Sequence, residues 1–279
     1  MEIHHTEDNF ETEGGLVLYE QSWRPDIEPK AAIIMVHGYA EHSGRYAHVA
    51  EHMVERGYTV HAFDLRNHGR SDGSKGLIKS IDSLVEDTGR RVARINQQQP
   101  SVPTFLLGHG TGGGIAALLA INGNLDVQGM ILSGALIKLA DNPPAQLRWL
   151  ATIIGALLPR LPVKALDSGV ISRDPSVVAA YDNDPLVYRG KTMARTAAEL
   201  MAAGRRVQAG MEAITLPILV MHGAADVLIE TQGSVDLHET ARSEDKTLKL
   251  YDEAYHEILN EPEKHQVMAD IVDWMDARL

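Results

Sequence analysis

Apolar residues along this chain gather in short solid runs, at 31–36, 58–63, 105–107, 127–133 and 216–221, each of strand length. Runs without polar alternation belong to strands buried on both faces. Between them lie stretches with helical spacing: 46–56, which closes at Gly57, then 81–95, with apolar positions at Ile81, Leu84, Val85, Val92 and Ile95, then 115–121. A helix at 231–241, a strand at 247–251 and a helix at 263–279 complete the pattern. Residues 16–23 alternate instead and end at Arg24-Pro25, which suits a half-exposed antiparallel edge strand. Strands alternating with helices at this length require crossover connections. The predicted fold is therefore α/β, with a mostly parallel central sheet and helices on both faces.

The rhythm breaks between about 135 and 211, where only helical and proline-marked segments occur, such as 145–158 and 192–203. The expected organisation is a core made of 1–134 and 212–279, with 135–211 inserted as a helical cap or lid. In the first cap helix Leu147, Trp149, Leu150, Ile153, Ile154, Leu157 and Leu158 cover more than one face. Such a helix either rests on lipid and admits an acyl chain, or packs on the core or across a dimer.

Composition narrows the functional classes. A net charge of −12 over 279 residues, with no basic run, argues against a nucleic-acid partner. The absence of cysteine excludes a thiolate nucleophile and cysteine-ligated zinc. The first residues have neither a basic nor an apolar leader segment, and no apolar run is long enough to span a bilayer. A cytoplasmic protein is expected, with peripheral membrane contact left open.

Candidate chemistry centres on Gly108-His109-Gly110-Thr111-Gly112, where a strand runs straight into a helix. Glycines four apart give the sharp elbow of a G-x-S-x-G motif, whose tip presents a nucleophile. Here the tip residue is Gly110. Asp226 and His256 each follow a later predicted strand, and residues beyond the carboxyl ends of neighbouring parallel strands converge in one crevice. Gly112-Gly113-Gly114 matches no phosphate-loop or dinucleotide pattern, and close helix–sheet packing accounts for it. His48 and His52 lie four apart on a helix, but without a third ligand they read as a solvated face, so no metal or cofactor is expected. Ser133, Ser43 and Ser71 lie away from the elbow in sequence and are set aside as nucleophiles.

Taken together, His37-Gly38-Tyr39-Ala40-Glu41-His42-Ser43-Gly44-Arg45-Tyr46, Asn67-His68-Gly69-Arg70-Ser71, the elbow, Ser172-Arg173-Asp174-Pro175, Tyr181-Asp182-Asn183-Asp184-Pro185-Leu186, His222-Gly223-Ala224-Ala225-Asp226 and Ala254-Tyr255-His256 resemble the monoacylglycerol lipase family of lysophospholipase-like α/β-hydrolases. The resemblance covers essentially the whole chain. It implies His256 as general base and later acid, Asp226 as its orienting carboxylate, and Gly110 at the nucleophile position. It implies an oxyanion hole from the backbone amides of Tyr39 and Thr111. Glu41, Arg45 and Tyr181 match residues around the polar head of a monoglyceride, while Leu259 departs from the histidine of the vertebrate enzymes. His109 is expected to pack beside the elbow.

The activity implied is hydrolysis of monoacylglycerols or related lipid esters through an acyl-enzyme. With glycine at 110 the chain is expected to be a nearly inactive form. A deliberate replacement is favoured over drift because Asp226 and His256 remain. The alternative is a natural pseudohydrolase that binds an acyl ligand or a protein partner.

Overall fold

The computed structural model describes residues 2–123, 125–140 and 145–279, without the side chains of 145–148. Its centre is an eight-stranded sheet in the order β1-β2-β4-β3-β5-β6-β9-β10. The strands are β1 (Ile3–Glu11), β2 (Val17–Pro25), β3 (Ala31–Val36), β4 (Tyr58–Phe63), β5 (Thr104–His109), β6 (Gly129–Ser133), β9 (Ile218–Gly223) and β10 (Lys246–Tyr251). β1 and β2 pair with each other, and β2 with β4, in antiparallel fashion; the remaining neighbours are parallel.

Every residue of β3, β4, β5, β6 and β9 is buried, as their solid apolar runs require. Successive side chains serve opposite layers. Ile34, Val36, Leu106, Leu132 and Val220 meet helices α2 (Ile81–Gln98), α3 (Thr111–Ile121) and α7 (Thr231–Thr240) on one face. Ile33, Met35, Leu107, Ile131 and Met221 meet α1 (Ala47–Val54) and α8 (Lys264–Asp276) on the other.

The long segment between β6 and β9 leaves the sheet. It holds α4 (Ala145–Leu157), α5 (Pro175–Asn183) and α6 (Ala194–Gly210), with a minimal antiparallel pair β7 (Pro162–Lys164) and β8 (Thr192–Met193). Asp174 caps α5 by accepting a hydrogen bond from the Ser176 amide, with Pro175 at the first helical position. α6 lies directly on the core, because Gly204 lets its backbone approach: a Cβ there would fall 2.7 Å from the Ile137 carbonyl oxygen. In α4, Trp149, Leu150, Ile153 and Leu157 are exposed, as is Leu158 just beyond it, whereas Leu147 lies outside the described side chains.

Three strands differ from the sequence reading. β1 was not expected, since its outward face is polar and it sits at the sheet edge, where burial imposes no apolar pattern. β7 and β8 are too short and too exposed to leave any periodicity. No helix among the described residues is long and apolar enough to cross a membrane.

Candidate active site

The elbow joins β5 to α3 through Gly110, which adopts φ +53° and ψ −117°. Its backbone is clamped on both sides. The amide donates to the Ser133 carbonyl at 3.0 Å, and the carbonyl accepts from Gly114 at 3.1 Å and Leu136 at 2.7 Å. Glycines then allow the helix to sit against the sheet: a Cβ on Gly112 would fall 2.1 Å from the Val36 carbonyl oxygen, and one on Gly108 would fall 2.4 Å from that of Gly112. No side chain can be added at either place without moving backbone.

β9 and β10 are paired so that Gly223 lies opposite Tyr251, and the loops after them bring Asp226 and His256 together. The His256 Nδ1–H donates to Asp226 Oδ2 at 2.7 Å. The opposite edge of the ring faces the elbow, since a Cβ on Gly110 would sit 3.3 Å from His256 Nε2. Asp226 Oδ1 accepts from the amides of Leu228 at 2.8 Å and Ile229 at 3.0 Å. Burial by itself would raise this carboxyl, but the His256 charge and the hydrogen bonds from His222 and His256 outweigh it and hold the group well below the usual carboxylate range. For His256 burial works against the charged form, yet the neighbouring Asp226 carboxylate wins and the imidazole titrates above an ordinary histidine.

The His109 ring lies against that of His256, tilted by 50° with centroids 4.7 Å apart. Burial, reinforced by repulsion from His256, pushes it down to about 3, so it is neutral at ordinary pH. The parallel register of β5 and β6 sets His109 opposite Ser133, and His109 Nδ1 pairs with Ser133 Oγ at 3.1 Å. Ser133 is fully buried.

A second polar layer lies against the first. Glu41 accepts from the Gly38 amide and from Tyr46 Oη, each at 2.6 Å, and from Arg45 Nη1 at 2.8 Å. Arg45 also grips Glu257 with two parallel hydrogen bonds of 2.6 and 2.7 Å, and its guanidinium lies 4.8 Å over the Tyr181 ring. Burial would raise Glu41, but the Arg45 charge, with His109, His37 and the Tyr46 hydroxyl, brings it down to about 2.

A cavity of about 510 Å³ opens over these groups. Its polar end is formed by Gly38, Tyr39, Glu41, His109, Gly110, Thr111, Tyr181, His256 and Glu257. Leu136, Leu139, Leu166, Ile171, Leu200, Met201 and Leu228 line the apolar remainder, several of them from the inserted segment. Tyr181 Oη is buried and has no hydrogen-bond partner in the protein. Arg45 stands behind Glu41 and Glu257 rather than on the cavity wall. His48 Nε2 bonds to the Leu259 carbonyl, and no group of three or more metal-ligating side chains occurs among the described residues.

A mostly parallel sheet with helices on both faces, an inserted helical region, and a carboxylate–imidazole pair facing a strand-to-helix elbow define an α/β-hydrolase. The sequence profile described as "Serine aminopeptidase, S33" matches residues 27–263, and the chain belongs to that family of hydrolases. Its relatives include the monoacylglycerol lipase of Mycolicibacterium smegmatis, 38% identical over 98% of both chains. Among solved structures, the monoacylglycerol lipase of Paleococcus ferrophilus superposes with a TM-score of 0.80 at 28% identity, covering 100% of both chains. A soluble variant of the Saccharomyces cerevisiae monoglyceride lipase, in complex with a substrate analogue, gives a TM-score of 0.86 at 25% identity over 98% of this chain and 94% of that one.

These findings correct the expectation of an inactivated chain and, with it, the pseudohydrolase alternative. The chain aligns end to end with lipases, and a serine–histidine pair, Ser133 with His109, stands at the elbow. Glycine at position 110 serves the positive-φ turn, and it is not read as a substituted nucleophile. Ser133 was set aside for its distance along the chain. That distance, 24 residues, is spanned by the pairing of β5 with β6.

Proposed function

We propose that the chain is an active serine-type carboxylic ester hydrolase whose substrates are monoacylglycerols or related lipid esters. The observation that carries this reading is the Asp226–His256 pair at 2.7 Å, with the free edge of the imidazole turned to the elbow at the polar end of a largely apolar cavity. His256 Nε2 takes the proton from the attacking hydroxyl and returns it to the departing alcohol, while Asp226 holds the ring and the imidazolium that forms. The amides of Tyr39 and Thr111, beside Gly110, receive the oxyanion; that of Thr111 opens α3 and has no acceptor within its own helix.

The acyl chain occupies the apolar part of the cavity, and residues 135–211 act as the cap over a core of 1–134 and 212–279. Tyr181, with its unpartnered hydroxyl, and Glu41, backed by Arg45, meet the polar head. Ser133 supplies the hydroxyl of the serine-type reaction; fully buried against His109 and off the cavity wall, it must be uncovered before it attacks. The exposed apolar residues of α4, with Trp149 and Leu157 the most prominent, give the cap a surface for lipid contact.

Turnover of p-nitrophenyl esters and monoolein by the chain and by Ser133→Ala, with fluorophosphonate labelling mapped by peptide sequencing, tests this directly. Label on Ser133 and a fall of at least a hundredfold in Ser133→Ala are expected. Unlabelled protein with His256-dependent turnover would move the nucleophile to a water held by His256. A chain that hydrolyses no ester at all would end the reading.

A further inference from the structure

Asp226 is held by more groups than its partnership with His256 calls for. Its Oδ2 accepts not only from His256 but also, at 3.0 Å, from His222 Nε2, four residues earlier. His222 is fully buried near the end of β9, among apolar residues where an isosteric hydrophobe would pack without the cost of desolvating an imidazole. Both of its nitrogens are nevertheless engaged. Nε2 faces two oxygens, Asp226 Oδ2 and the Ile229 carbonyl at 3.2 Å, so it carries the proton. Nδ1 lies 2.7 Å from Ser234 Oγ, a fully buried hydroxyl in the first turn of α7. The helix comes close enough to make this contact because Gly233 packs on Ile137, where a Cβ would sit 3.1 Å from the Ile137 side chain.

We propose that His222, locked by Ser234, is a positioning residue for Asp226: it decides which carboxylate oxygen meets His256 and how much of that oxygen's charge is left for the imidazole. This deepens the hydrolase reading and rests on it. The carboxylate is clamped at three points, by the amides of Leu228 and Ile229 on Oδ1 and by His222 on Oδ2. Rotation about the terminal bond of Asp226 would break all three, so His256 meets a fixed partner. The donor from His222 also draws density from the same oxygen that His256 uses. Besides Asp226, the groups facing His256 are Glu41, Glu257 and the His109 ring, and none of them touches His222.

The test follows the imidazole signals of His256 by NMR through a pH titration, beside steady-state ester turnover. In His222→Phe the titration of His256 is expected to move up by about half to one pH unit, since a carboxylate with one donor fewer holds the imidazolium more strongly. The kcat should fall roughly tenfold at nearly unchanged KM. His222→Gln, whose amide N–H reaches the same oxygen, should restore both. Ser234→Ala should shift His256 the same way by a smaller amount, and it decides the matter alone if His222→Phe does not fold. Titration of His256 as in the parent in every folded variant would overturn the proposal. The NMR readout needs no turnover, so a shifted His256 in an inert protein would sink the hydrolase reading and leave the positioning role standing.

Discussion

The loops beyond β9 and β10 and the first helix of the inserted segment solve opposite problems. Around Asp226 both carboxylate oxygens are matched: four donors meet one carboxylate, and His222, which supplies one of them, is itself anchored by Ser234. On α4 large apolar side chains face outward with nothing over them, Trp149 at 59% and Leu157 at 75% exposure. A buried charge is tolerable only when its partners are fixed, because an unpaired one costs several kcal/mol, on the order of a domain's whole stability margin. An exposed apolar face costs little in the folded chain and is free to meet another surface. Fixed polar contacts are thus concentrated around the buried carboxylate, and exposed apolar surface on the inserted segment.

The sharpest way to break this contrast is to remove the base. His256→Ala is expected to reduce ester turnover by roughly 10⁴- to 10⁶-fold with the fold intact by circular dichroism. A loss under tenfold would show that the polar cluster does not serve hydrolysis. Asp226→Asn should cost about 10⁴-fold and also change the pH profile. In the parent, activity needs neutral His256, whose titration is raised by Asp226, so the rising limb lies above that of an ordinary histidine. Without the carboxylate charge the limb should move to lower pH.

Stability carries a matching signature with its own sign. The depressed Asp226 contributes stability that is present above its unfolded titration near pH 3.9 and is lost as pH falls toward its folded one. Raised His256 contributes stability at low pH that fades as pH climbs through its folded titration. Denaturant midpoints of Asp226→Asn should therefore be flatter with pH than those of the parent below neutrality.

Next in size, Glu257→Gln leaves Arg45 half-paired in a buried setting. About 2–4 kcal/mol of stability should be lost in urea unfolding, with KM for monoolein raised more than that for p-nitrophenyl acetate, which has no glycerol head. The smallest effect is expected on the other side of the comparison. Trp149→Ser with Leu157→Ser should change stability by no more than about 0.5 kcal/mol, yet weaken co-sedimentation with phospholipid vesicles. Equal vesicle binding would leave the outward face of α4 without a role.

The halves of the molecule also differed in how far they could be read beforehand. Solid apolar runs reported β3, β4, β5, β6 and β9, because strands buried on both faces have no freedom to be polar. Asp226 and His256 were legible from their place after strands and from motifs that carry little ambiguity. β1 was hidden because an edge strand needs no apolar alternation, and His5, Asp8 and Asn9 look like a loop. The pairing of Ser133 with His109 was invisible for a different reason: it depends on which strands become neighbours, a fact of topology. His222 gave a faint signal, a lone imidazole within an apolar strand, but its partner Ser234 looked like any helix serine until α7 was placed against β9.

The clamp on Gly110 has a further consequence. With its amide given to Ser133 and its carbonyl shared by Gly114 and Leu136, the turn cannot open without tearing three elements apart at once. Deuterium should enter the amides of Gly110, Gly114 and Leu136 only when the whole molecule unfolds, making the elbow one of the slowest-exchanging points of the chain.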